Sequence, residues 1–182
     1  LFVTPPFPCF LEGTKILCFM GVEMYVPVES LRKGMLVKTL DNGYVPIEMI
    51  GHRTLPNPAD KERTKDRLYK CTPANYPSLF EDLYITGCHS ILVGDLTQKQ
   101  REKTIDIVGR IFVTDNHYRL MACVDDKAEP FSYGEEKDVV VWHFALENAD
   151  YYMNYGVFAN GLLVESSSRR YMKEHSCMTF VE

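Results

Sequence analysis

The chain has no apolar run long enough to span a bilayer, and its opening LFVTPPFP has neither the basic start nor the long apolar core of a signal peptide. Nothing in it asks for a membrane. Cysteine is sparse: the six residues Cys9, Cys18, Cys71, Cys88, Cys123 and Cys177 include no CxxC pair, which argues against a disulfide-stapled mini-domain and for reduced, reactive thiols. A basic excess is missing as well. Twenty Lys and Arg face 25 Asp and Glu, a net charge of −5 with the signs interspersed, which speaks against a nucleic-acid surface. Repeats of solenoid period and low-complexity tracts are both lacking, and the lack of an initiator Met reads as a fragment of something larger. What is present, 182 residues with 46% hydrophobic and 25% charged, suffices for one soluble globular domain with a core of its own.

Short apolar-rich runs bounded by Gly, Pro, Asn and Asp recur at 14–20, 24–28, 35–40, 44–53, 83–86, 90–93, 110–114 and 139–146. That rhythm predicts an all-β domain. Asp41-Asn42-Gly43 between two such runs predicts a tight primed hairpin turn, because Asn and Gly tolerate positive φ, and Met20-Gly21 is a weaker signal of the same kind. Two polar stretches free of Gly and Pro, 96–103 and 166–175, predict one short helix each, the second opening on serines able to cap it. The charged segment 56–67, with two prolines, predicts a surface loop or insertion.

Three segments carry chemistry. In Cys9-Phe10-Leu11-Glu12-Gly13-Thr14-Lys15-Ile16 a cysteine precedes a Gly-Thr turn that feeds a strand; Thr86-Gly87-Cys88-His89 closes another strand; and Tyr155-Gly156-Val157-Phe158-Ala159-Asn160-Gly161-Leu162-Leu163-Val164-Glu165 is two strands around an Asn-Gly turn. Each alone has a plain reading: a small buried thiol, a satisfied histidine, a hairpin. In this order and at this spacing they resemble the blocks of Hint domains, the self-processing module shared by inteins and Hedgehog C-terminal regions, over roughly Cys9 to Glu165. The resemblance implies a Hint-type horseshoe of short strands with one or two short helices, organised as an upstream segment 1–8, an autoprocessing domain 9–166 and a C-terminal helical extension 167–182. It also implies that Cys9 attacks the carbonyl of Pro8 and turns the amide into a thioester. Nucleophile and leaving amine then belong to one residue, so their encounter is intramolecular. Thr86 and His89 would hydrogen-bond that amide, and His89 would protonate the departing nitrogen, a task suited to an imidazole of pKa roughly 6.5. The substrate is the chain's own upstream polypeptide, water or another small nucleophile is the second reactant, and no cofactor, metal, nucleic acid or membrane is called for.

The sequence departs from the family at four places. Inteins end in His-Asn, whereas Glu165-Ser166 stands here, and a serine has no carboxamide to cyclise. The implied chemistry is therefore thioester formation and resolution, as in Hedgehog proteins, without splicing. The Asp that activates the outside nucleophile in Hedgehog proteins aligns with His52, which could serve as a base in its place; the Asp that precedes the last intein block aligns with His143, between Trp142 and Phe144. Pro8, as acyl donor, restricts the backbone and crowds the carbonyl, which slows the shift. These four departures motivate an alternative, a catalytically degenerate Hint-like module with a structural or binding role in a larger polypeptide. A zinc site built from Cys88 and His89 with Cys71 and His117 is disfavoured, because adjacent Cys and His do not readily face one metal from a strand and the usual ligand spacing is missing.

Overall fold

The computed structural model describes residues 7–182; residues 1–6 of the expected upstream segment lie outside the described residues. Short runs of alternating burial give fifteen strands among them: β1 (Phe10–Leu11), β2 (Lys15–Phe19), β3 (Glu23–Pro27), β4 (Leu36–Lys38), β5 (Tyr44–Asn57), β6 (Leu68–Cys71), β7 (Leu83–Thr86), β8 (Ser90–Val93), β9 (Val113–Thr114), β10 (His117–Met121), β11 (Glu129–Pro130), β12 (Lys137–Leu146), β13 (Gly156–Ala159), β14 (Leu162–Glu165) and β15 (Thr179–Phe180). Two short α-helices, α1 (Gln98–Val108) and α2 (Arg169–His175), and one 3-10 turn at Val28–Ser30 complete the regular structure. This is the all-β architecture with two short helices that the sequence predicts.

The strands form one open, antiparallel path in the order β11-β6-β7-β1-β12-β5-β4-β2-β13-β14-β8-β10-β9, with β3 added to β2 and β15 to β5. The 14-residue strand β5 hands the chain from one half to the other: its first residues pair with β4 (Val37↔Val45) and the rest with β12, from Ile47↔Leu146 to Asn57↔Lys137. Strand β12, KDVVVWHFAL, is buried on both faces along its second half, which explains its near-continuous apolar run. One face belongs to the main core with Phe10, Ile50, Trp142 and Phe144; the other belongs to a smaller cluster of Phe7, Cys9, Leu55, Leu68, Val139, Val141, Ala145, Met172 and Met178.

Turn chemistry accounts for most differences from the expectations. At Asp41-Asn42-Gly43 only Gly43 takes positive φ (62°), and the Thr39 hydroxyl closes a wider turn by accepting from Asn42 N and donating to Gly43 O. Asp115-Asn116 (φ 48° and 60°) supplies an unforeseen primed turn between β9 and β10, and Asn160-Gly161 (φ 48° and 95°) is the expected one. Helix α1 begins later than the polar stretch suggests, at a capping box between Thr97 and Gln100, and runs on to a left-handed Gly109. In the last stretch, Ser168 caps α2 while Ser166 and Ser167 stay extended, Ser167 bridging to Ala145. Pro56 lies inside β5, paired with Asp138, so the expected loop starts only at residue 58.

The C-terminal segment packs on the smaller core cluster. Met172 of α2 is fully buried there, a contribution of about 1.5–3 kcal/mol. Strand β15 pairs with β5 at Thr179↔His52 and Phe180↔Gly51. Gly51 permits this close approach, since a Cβ there would lie 3.0 Å from Met178 Cβ and 3.2 Å from the Thr179 carbonyl.

Candidate functional site

Cys9 immediately precedes β1, which lies between β7 and β12. Its backbone continues the ladder with β7: Cys9 O accepts from Thr86 N at 3.0 Å, and Cys9 N donates to the Thr86 hydroxyl at 2.9 Å. That hydroxyl in turn donates to Phe7 O at 3.1 Å, so one Thr side chain grips the backbone on both sides of Pro8. After Thr86 the chain turns through Gly87, where a Cβ would sit 2.7 Å from Thr64 O and 2.8 Å from Lys65 O. The 58–67 loop therefore presses directly on the turn that aims the next two residues, and only glycine leaves it room.

His89 is fully buried immediately before β8. Its Nδ1 lies 3.2 Å from Cys9 O, and its Nε2 lies 2.9 Å from Glu165 O. Two carbonyls suit a ring with two N–H groups, whereas a neutral imidazole has one. Burial nevertheless holds the His89 pKa below its usual value, against the opposing pull of the Glu165 carboxylate and the two carbonyls. His89 is thus a stronger acid than a free imidazole, placed at the carbonyl of Cys9 rather than at its nitrogen.

On the other side, the β1/β12 register pairs Phe10 with Trp142 and Leu11 with Val141, and one further step brings Cys9 opposite His143. His143 is fully buried among Phe7, Phe10 and His89, with ring-centroid distances of 5.8, 5.3 and 4.9 Å. Neither of its ring nitrogens meets a hydrogen-bond partner among the described residues. Burial, reinforced by His89, pushes its pKa well below the usual value and keeps the ring neutral.

His52 is not brought to this site. In β5 it pairs with Trp142 and packs its ring 4.7 Å from the indole, on the face of the main core. Strand alternation then turns its neighbour Arg53 to the Cys9 face, and a misjudgement of one residue selects the wrong side of the sheet. The Arg53 guanidinium lies against the Cys9 thiol and also reaches Ser176 O at 3.5 Å. Cys9 has no exposed surface, and this burial raises its thiol pKa far above the ordinary range; Arg53 opposes the rise and Cys88 adds to it. The alternation of Ile50-Gly51-His52-Arg53 against Val141-Trp142-His143 was the available signal for Arg53.

Cys88, unlike Cys9, is only partly buried. Its Sγ lies 3.9 Å from the Thr86 hydroxyl, and burial lifts its pKa to about 12, tempered by Thr86. It lines a cavity of about 610 Å³ that also exposes Pro8, Glu165, Ser166–Ser168 and three arginines. Cys9 is therefore sealed, while Pro8 beside it lies on the cavity wall. Glu165 is tied off: Ser90 N donates to it at 3.2 Å and Arg119 pairs with it at 3.3 Å. Among the described residues no group of three or more His, Cys, Asp or Glu is arranged to hold a metal ion.

No curated protein matches the chain. Among solved structures it is similar to the gp41-1 intein, at 12% identity and a TM-score of 0.43, covering 87% of this chain and 98% of that one. It is also similar to the VidaL intein in a selenomethionine variant, at 15% identity and a TM-score of 0.43, covering 91% and 97%. The family model of the Hint domain matches residues 8–106, a span that opens on Pro8-Cys9 and includes Thr86 and His89. With more than half of its length matched by that model, the chain belongs to the Hint domain family, whose function is self-processing.

Proposed function

We propose that the domain cleaves its own Pro8–Cys9 bond through a thioester and does not splice. The observation that carries this reading is the Thr86 hydroxyl, which holds the scissile nitrogen at 2.9 Å while His89 stands on the same residue's carbonyl. Cys9 Sγ attacks the Pro8 carbonyl carbon, the C–N bond breaks, and the nitrogen leaves as the amine of Cys9. Arg53 favours the thiolate against the cost of burial, and His143, neutral with a free lone pair, takes the thiol proton. The proton that His143 takes passes to His89, whose ring lies 4.9 Å away, and His89, made more acidic by burial, gives it to the departing amine after a small shift from Cys9 O. Water or another small nucleophile then attacks the thioester carbonyl, and the Cys9 thiol is regenerated. His52, on the far face, has no step in this sequence. The reading takes 9–166 as the processing domain, 1–8 as the end of its substrate and 167–182 as the cover of its thiol, with no cofactor or metal and neither nucleic acid nor membrane as partner.

The test is a reporter fused ahead of Leu1 and followed by mass with and without dithiothreitol or hydroxylamine. Release of a fragment ending at Pro8, accelerated by the nucleophile and abolished in Cys9→Ala, is expected. A fusion that stays intact under every condition supports instead the second reading, a Hint fold that no longer processes, which the fully enclosed Cys9 thiol and the proline acyl donor favour.

A further inference from the structure

We infer that the cavity lined by Pro8 and Cys88 is the acceptor site for a small nucleophile, a thiol or amine that carries an anionic group. The inference rests on the self-processing reading and names the reactant of its second step.

The cavity, about 610 Å³, is the size of small-ligand sites, and Pro8 and Cys88 lie on its wall. Cys9 itself has no exposed surface, so this is the side from which a second nucleophile meets the Pro8 carbonyl. Its charge is one-sided. Arg110, Arg119 and Arg170 line it against the single carboxylate of Glu165. That carboxylate is consumed by Arg119, which is further held by the Thr114 hydroxyl at 2.6 Å and the Asn154 side-chain carbonyl at 2.8 Å.

Arg110 and Arg170 remain. The Arg110 guanidinium lies 4.4 Å from the Phe112 ring centre and has no carboxylate partner among the described residues. Arg170 lies 5.1 Å from the Tyr152 ring centre and engages Glu174, which is not on the cavity wall, through Nε at 3.0 Å, leaving its terminal nitrogens. Two guanidinium groups braced on aromatic rings, above a concave wall, concentrate anions and match a carboxylate or sulfonate with paired N–H donors. The step balances: the acceptor's sulfur or nitrogen forms a bond to the Pro8 carbonyl carbon, the bond to Cys9 Sγ breaks, and the acceptor's proton goes to Sγ. The products are the upstream polypeptide joined to the acceptor and a Cys9 with free thiol and free amine.

Cys88 provides a readout that needs no cleavage. Its alkylation by iodoacetate and by iodoacetamide is followed by peptide mass, and the ratio of the two rates is compared with that of free cysteine. About a tenfold higher ratio is expected at Cys88, falling to the free-cysteine value in 0.5 M salt on the unmodified chain and in the Arg110→Gln/Arg170→Gln variant. A ratio equal to that of free cysteine, insensitive to salt, overturns the inference. In the reporter fusion, 2-mercaptoethanesulfonate should cleave with saturation and about tenfold faster than 2-mercaptoethanol. Equal, linear rates overturn the inference and leave self-processing intact. No cleavage with either thiol or with hydroxylamine overturns self-processing, and the acceptor role with it.

Discussion

The surroundings of Cys9 and those of its neighbours Pro8 and Cys88 differ sharply. Cys9 lies with Met172 and Met178 under α2 and β15, with Arg53 and an unpartnered His143 as its polar neighbours. Pro8 and Cys88, by contrast, line a cavity with arginines and serines on its walls. A thiol is a poor nucleophile where its ionised form is not solvated, yet a thioester survives best where water is excluded. Under the proposed function, the thioester would form at the enclosed Cys9 and be released by a nucleophile entering through the cavity. The cost is borne by Cys9, whose thiolate is disfavoured by burial and only partly restored by Arg53.

The comparison breaks most completely at the residue that joins the two surroundings. His89 touches Cys9 O and Glu165 O, one on each half of the sheet, and His89→Ala should slow fragment release about a thousandfold in single-turnover kinetics. Met172→Ala removes the buried side chain of the cover; we expect a loss of about 2–4 kcal/mol in denaturant unfolding, with Cys9 becoming reactive to iodoacetamide where only Cys88 and Cys177 were before. If Cys9 stays unreactive in that variant, α2 is not what seals it.

His143→Leu separates stability from function. It replaces two unpartnered buried nitrogens by carbon, so the fold should gain about 1 kcal/mol at pH 7.5 while fragment release is lost. The sign with pH follows from the depressed pKa. Below about 6.5 the unfolded chain takes up a proton that buried His143 refuses, so stability falls as the pH drops. The variant should show a shallower decline than its parent between about pH 6.5 and 5, His89 supplying the remainder. Smallest is Tyr171→Ala, which removes the stacking partner of Phe7 at a ring distance of 5.0 Å and should cost about 0.5–1.5 kcal/mol by the same unfolding measurement.

Much of the site was legible because its parts are local. Cys9 with its Gly-Thr turn, the Thr86-Gly87-Cys88-His89 turn and the Asn160-Gly161 hairpin are short segments whose residue types dictate their geometry. Strand β1 escaped notice because two residues, Phe10–Leu11, have no period to detect, and β15 for the same reason. Arg53 escaped because choosing between it and His52 requires the register of β5 on β12, a long-range property. The cavity is likewise assembled from residues as distant as Pro8, Arg110 and Arg170, and no window along the chain contains them together. Gly87 could be seen as a turn residue, but not the carbonyls of Thr64 and Lys65 that exclude a side chain there.

Phe7 is fully buried, stacked on Tyr171, with its carbonyl bonded to the Thr86 hydroxyl. Those attachments lie upstream of the Pro8–Cys9 bond, and none depends on it. A severed chain would keep both pieces docked, with the new amine of Cys9 still embedded beside the carboxyl end of Pro8. Under native conditions the cut and uncut proteins would then travel as one particle, and the break would emerge only when the fold is dissolved. The same docking would keep the reverse reaction within reach until an outside nucleophile takes up the acyl group.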